Sequence, residues 1–287
     1  MAYRVSIKSM VINLLLFLLK GAAGLLAGSM SLLADAVHSL TDIFSTGLVM
    51  IGFRLSGKPA DPEHPYGHEK IECVIALLLG LMLFGVGAAI GYQGALKLRD
   101  PAAVSGSLAA FEYLAMGAAL ISIITKEWMY RYTVKCAKQI QSPSLTADAW
   151  HHRSDALSSI GSLTGVTGIY LGYPVVDVIA CFIISLFIFK AAFDICADAC
   201  RRMIDAAGDS SRIDAIKKVI LDNPEVLSLD MMRTRVFGSK LYVDVEVTLD
   251  KSISFEQAHH IAHLIHDGVE RDCAEVKHCM VHVNPSE

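Results

Sequence analysis

No two cysteines form a CxxC pair, and the seven present (Cys73, Cys136, Cys181, Cys196, Cys200, Cys273 and Cys279) keep no regular spacing. A disulfide framework does not fit, and most of these cysteines lie in apolar segments, where free cysteine behaves as a small hydrophobe. Positive charge is also short. There are 25 Lys and Arg against 29 Asp and Glu, with no basic tail, so a nucleic-acid partner is excluded. Charged residues make up only 19% of the chain, too few for an ordinary soluble protein of 287 residues. A small-residue cleavage site is missing after the first apolar stretch, which therefore reads as a retained membrane helix. HExxH is absent as well, which leaves an intramembrane metallohydrolase without its usual ligands and general base.

Apolar residues are plentiful instead: 53% of the chain is hydrophobic. A helix needs about 20 mostly apolar residues to cross a bilayer. Six segments meet that need, at roughly 8–28, 30–53, 71–96, 108–130, 145–171 and 174–198. The expected fold is a membrane all-α bundle of six transmembrane helices over 1–207, followed by a small cytosolic α+β domain of order αββαβ over 208–287. Lys and Arg cluster at the N-terminus, in the 2–3 and 4–5 loops and after segment six, whereas the opposite loops carry only Lys97 and Arg99. Both termini are thus expected in the cytosol, with the protein in an inner or plasma membrane. The tail reads as helix 212–222, strands 226–236 and 240–249, helix 254–271 and strand 276–284, with Ser254 and Gln257 forming a capping box.

Two stretches inside the apolar region match. Residues 34–42 read Ala-Asp-Ala-Val-His-Ser-Leu-Thr-Asp and residues 147–155 read Ala-Asp-Ala-Trp-His-His-Arg-Ser-Asp. Asp, His and Asp recur at offsets of zero, three and seven, which share one helical face. A charged group at membrane depth costs about 2.5–3.5 kcal/mol, so two such helices need a compensating partner. A cation held by His38, Asp42, His151 and Asp155 would supply it. Two imidazoles with two carboxylates make a four-coordinate shell suited to Zn2+, whereas Mg2+ and Ca2+ prefer six or more oxygens. Asp35 and Asp148 serve equally well as capping or interhelical hydrogen-bond groups.

These residues resemble the cation diffusion facilitator family. The resemblance rests on the paired HxxxD motifs, on Gly-Ser-Met-Ser-Leu-Leu-Ala-Asp-Ala before the first, and on the loop from Pro59-Ala60-Asp61 through His64, Gly67-His68 and Lys70 to Glu72. It implies a homodimer that exports Zn2+ or a related divalent ion from the cytosol against protons, with His38, Asp42, His151 and Asp155 as the transport site. It also implies a second metal on Asp61, His64 and His68, and an inter-subunit salt bridge between Lys70 and Asp205. A regulatory zinc site in the tail maps onto Asp230, Glu246, His259 and His282. There the chain departs from the family, with Asp230 and Glu246 in place of histidines and Asn284 in place of an aspartate. The ion remains open among Zn2+, Cd2+, Co2+, Fe2+ and Mn2+. A non-transporting, metal-recruiting scaffold like the magnetosome-associated relatives is the alternative.

Overall fold

A computed structural model describes residues 2–27, 30–99, 112–170 and 175–287. The chain divides into two compact units, Met1–Ala199 and Cys200–Glu287. The first is built from long helices: α1 (Ala2–Ala27), α2 (Met30–Ser56), α3 (Ile71–Arg99), α4 (Glu112–Ile140), α5 (Pro143–Tyr170) and α6 (Val175–Met203), the last running into the second unit. Each has between 26 and 29 residues, about 40 Å of helix and more than a bilayer's hydrocarbon core requires. Among the described residues, Tyr3–Ala22 and Ile71–Leu96 are apolar enough to cross a membrane on length and composition alone. Helices α1, α2, α4 and α5 also carry charged and polar groups within their length.

Those polar groups point inward. Lys20, Asp42, Lys126, Asp148, His151, His152 and Asp155 are buried, while Leu15, Leu18, Phe44, Ile124, Leu186 and Phe187 face out. A water-soluble protein shows the opposite pattern, and a lipid-facing surface explains this one.

Local signals set the α4–α5 hairpin that positions the site. Gln141 takes a left-handed conformation (φ 53°), and the Ser142 amide donates to the Ala137 carbonyl, closing α4 with a Schellman-type end. Ser142 then caps α5, its Oγ accepting from the Leu145 amide at 3.2 Å, and Pro143 opens the helix where its missing N–H costs nothing. Helix α4 runs ten residues past the expected end at 130, because the apolar run marks membrane depth whereas the helix continues through Arg131, Lys135 and Lys138.

The second unit contains α7 (Ser210–Leu221), β1 (Ser228–Phe237), β2 (Lys240–Leu249), α8 (Phe255–Asp272) and β3 (Val276–Pro285). The sheet order is β1-β2-β3, with β1 antiparallel and β3 parallel to β2, so α8 is the crossover. Leu241, Val243, Val245, Val247 and Leu249 are buried and pack with Ile216 and Ile220 of α7 and Ile261 and Ile265 of α8. The expected capping box at Ser254 and Gln257 is present. All seven cysteines are free. Burial pushes the Cys279 thiol up to about 12.

Candidate metal centre

Helices α2 and α5 bring Asp42, His151 and Asp155 together, with one ligand-type atom from each lying within 4.8 Å of the others. His151 Nε2 is 3.2 Å from Asp42 Oδ1. All three residues are buried. The His38 side chain lies outside the described residues, as does that of Asp35. One turn along α2 from Asp42, Thr46 donates to Asp148 Oδ1 at 3.2 Å, and His152 Nε2 sits 3.6 Å from the other oxygen of Asp148. Asp148 thus takes the interhelical hydrogen-bond role, while Asp42, His151 and Asp155 form the cluster.

A fourth group in the cluster was not among the expected ligands. Lys126 of α4, 2% exposed, donates to Asp42 Oδ2 and, at 3.0 Å, to Asp155 Oδ2. The sequence contains the signal for it. Lys126 is 15 residues before Gln141 and Asp155 is 14 after it. In an antiparallel hairpin with a turn at 141–142, such similar separations put both residues at nearly one depth, about 21–23 Å from the turn. Across the α1–α2 junction, Lys20 Nζ donates to Ser39 Oγ at 3.2 Å.

The loop before α3 also gathers its expected residues. Asp61, His64 and His68 each offer an atom within 4.8 Å of the others. Asp61 Oδ1 accepts from the amides of His64 and Glu63, at 2.7 and 3.0 Å, while His68 Nε2 lies 3.3 Å from Oδ2. Gly67, with φ 94°, makes the turn that brings His68 back. The hydrogen bond from the His64 backbone holds the Asp61 carboxyl below the usual carboxylate range, so it stays charged and ready to bind a cation.

Asp230, Glu246, His259 and His282 do not all meet. Glu246 and His282 are cross-strand partners at even-numbered β2 and β3 positions, opposite the face that packs on the helices, while His259 belongs to the helix layer and stacks on Phe255. Asp230 is committed to Ser228 Oγ, Thr248 Oγ1 and Asn284 Nδ2, which donate to it at 2.6, 2.6 and 3.1 Å. His259 is thus set apart from the sheet-face residues, and among the described residues these four form no group with donor atoms within 4.8 Å of one another. Lys70 precedes α3, and Asp205 adopts φ 62° after α6.

Residues 6–204 match the cation efflux transmembrane domain, and residues 209–286 match the cation efflux protein cytoplasmic domain. The chain is 34% identical to the uncharacterized transporter MJ0449 of Methanocaldococcus jannaschii over 282 residues, covering 97% of this chain and 96% of that one. It is 29% identical to the manganese efflux system protein MneP of Bacillus subtilis over 289 residues, covering 98% and 95%. Against magnetosome protein MamB of Paramagnetospirillum magneticum it is 27% identical over 269 residues, covering 94% and 89%. Inward-facing charge, a carboxylate–imidazole cluster between α2 and α5, and a match along nearly the whole chain agree: it belongs to the cation diffusion facilitator family, and it is an integral-membrane metal-efflux transporter and not an enzyme.

Proposed function

We propose that the chain exports Zn2+ from the cytosol in exchange for protons, by alternating access at a site made of His38, Asp42, His151 and Asp155. The observation that carries this reading is the buried Asp42–His151–Asp155 cluster spanning α2 and α5. Two carboxylates and an imidazole, with His38 one turn before Asp42 on α2, form a donor set better matched to Zn2+ than to hard dications. Neutral imidazole and ionised carboxylate are the binding forms, so protons compete with the metal. Six spans with both termini in the cytosol place the Asp61–His64–His68 loop on the side where metal is loaded. A homodimer, with Lys70 and Asp205 paired across the subunits, completes the reading.

Lys126 fits this cycle as a counter-cation that alternates with the substrate. Two carboxylates balance one dication. An ammonium held about 4 Å from that dication would be repelled by roughly 8 kcal/mol at an effective dielectric of 20. Metal entry therefore swings Lys126 off Asp42 and Asp155, and metal release lets it return. The empty carrier then never holds two bare carboxylates at membrane depth.

The test is uptake of Zn2+ into proteoliposomes under an imposed pH gradient, comparing the native chain with Asp155→Ala. Gradient-dependent uptake by the native chain that is lost in the variant is the expected result. Well-folded native protein that moves neither Zn2+, Mn2+, Fe2+, Co2+ nor Cd2+ would favour the scaffold reading. A preference for Mn2+ over Zn2+ would overturn the choice of ion.

A further inference from the structure

A second set of metal-type donors lies in the cytoplasmic unit, on residues that no transport motif includes. His266 and Glu270 are one turn apart on α8, and His278 stands opposite, near the start of β3. Glu270 Oε1 is 3.4 Å from His266 Nε2 and 3.1 Å from His278 Nδ1, and the three donor atoms all lie within 4.8 Å of one another. Two ligands about 2.1 Å from a single ion sit roughly 3.0–3.4 Å apart in octahedral or tetrahedral geometry. Both contacts with the carboxylate already have that spacing.

Three further features hold the arrangement. His266 Nδ1 is 2.6 Å from the Cys279 carbonyl oxygen, which can only accept, so the proton sits on Nδ1 and Nε2 turns toward Glu270. In the neutral ring that leaves an imidazole lone pair facing a carboxylate oxygen, two acceptors that call for a cation between them. The Cys279 amide donates to Glu270 Oε1 at 3.1 Å, which fixes the carboxylate. Finally, the β2–β3 register slips by one residue at Lys277, between the Leu241–Val276 and Tyr242–His278 pairs. Such an irregularity re-aims a side chain, here bringing His278 within reach of α8 at the sheet edge, where its ring meets Tyr242 edge-on. All three donors are partly exposed, so an ion can enter and water can complete its shell.

We propose that His266, Glu270 and His278 form a cytoplasmic binding site for a divalent transition-metal ion, which ties α8 to the edge strand β3. Two imidazoles and one carboxylate on one side of the ion select a first-row transition metal over Mg2+ or Ca2+. The site shares no residue with Asp230, Glu246, His259 and His282, and it does not depend on the membrane cluster.

Equilibrium dialysis of the full-length protein in detergent, in an Asp155→Ala background that disables the membrane cluster, tests it with Zn2+ and with Co2+ as a visible probe. His278→Ala is expected to remove one equivalent of metal per chain together with the Co2+ absorption of that site. Glu270→Gln keeps an acceptor for the Cys279 amide and should weaken binding at least tenfold, which guards against a folding artefact. His260→Ala removes an exposed histidine on the same helix but outside the cluster, and should change neither stoichiometry nor spectrum. Unchanged stoichiometry and spectrum in His278→Ala would overturn the proposal, as would an equal loss in His260→Ala. That loss would mark adventitious surface binding, and a lone proton on His266 in place of a metal would show as no Co2+ signal lost in His278→Ala. Zn2+ transport is measured separately in protein with Asp155 intact, so failure here leaves the membrane reading standing.

Discussion

Lys126 distinguishes this site from a bare cage of ligands. Removing one partner of a buried ion pair leaves uncompensated charge, at a cost of about 3–5 kcal/mol. Lys126→Met keeps the bulk of the side chain and removes its ammonium, so Asp42 and Asp155 face each other without a cation. The apo variant should unfold at a lower temperature than the native chain. Saturating Zn2+ should stabilise it more than it stabilises the native chain, and its Kd for Zn2+ should fall about tenfold or more, because no tethered cation competes. Lys126→Arg retains the charge and should bind Zn2+ close to the native level. A Kd in Lys126→Met equal to the native value would remove Lys126 from the cycle. The residue was legible only through its pairing. On composition it is one charge at the end of an apolar run, and its meaning emerges from its nearly equal separation with Asp155 from the 141–142 turn. His266, by contrast, reads from helical periodicity as part of a face with His259 and His263. Its partnership with Glu270 and His278 depends on a register slip in β3 that periodicity does not encode.

At the level of elements, helix order and the positions of α1–α8 and β1–β3 follow from apolar run length, turn residues and period-two alternation, and most ends agree within a few residues. Packing partners do not follow from those patterns. Helix α3 meets α6 through glycines. Ser185 Oγ donates to the Gly87 carbonyl at 2.8 Å, and a Cβ added at Gly94 would lie 2.9 Å from Cys181 Cβ, an atom fixed to the α6 backbone. Small residues let helices approach closely where lipid gives no hydrophobic drive for association. Gly94→Ala should therefore push the two helices apart, with an overpacking cost of about 1–3 kcal/mol that outweighs alanine's better helix propensity. Thermal unfolding in detergent would show it as a lowered midpoint. A raised midpoint would mean that α6 yields and the close approach is not a constraint. Gly85 has no atom within 4 Å of an added Cβ, so Gly85→Ala on the same helix serves as the control and should be neutral or stabilising.

For the whole molecule, two compact units with separate cores imply that unfolding is not a single two-state transition. Among the described residues, Met1–Ala199 holds two candidate metal clusters, Asp42–His151–Asp155 and Asp61–His64–His68, and Cys200–Glu287 holds His266–Glu270–His278. A ligand that binds only the folded form stabilises by about 2.7 kcal/mol at a hundredfold excess over its Kd. For a unit the size of Cys200–Glu287 that corresponds to roughly 10–20 °C, since 1 kcal/mol moves a domain of 60–100 residues by about 4–8 °C. Calorimetry of the full chain should therefore resolve two transitions that both rise with Zn2+ and that respond to different substitutions. Asp155→Ala together with His68→Ala should cancel the rise of the membrane unit and leave the cytoplasmic one, whereas His278→Ala should do the reverse. A single transition abolished by either variant would mean that the clusters report on one cooperative body. The two cores would then not unfold independently, and metal in the cytoplasm would be coupled directly to the transport helices.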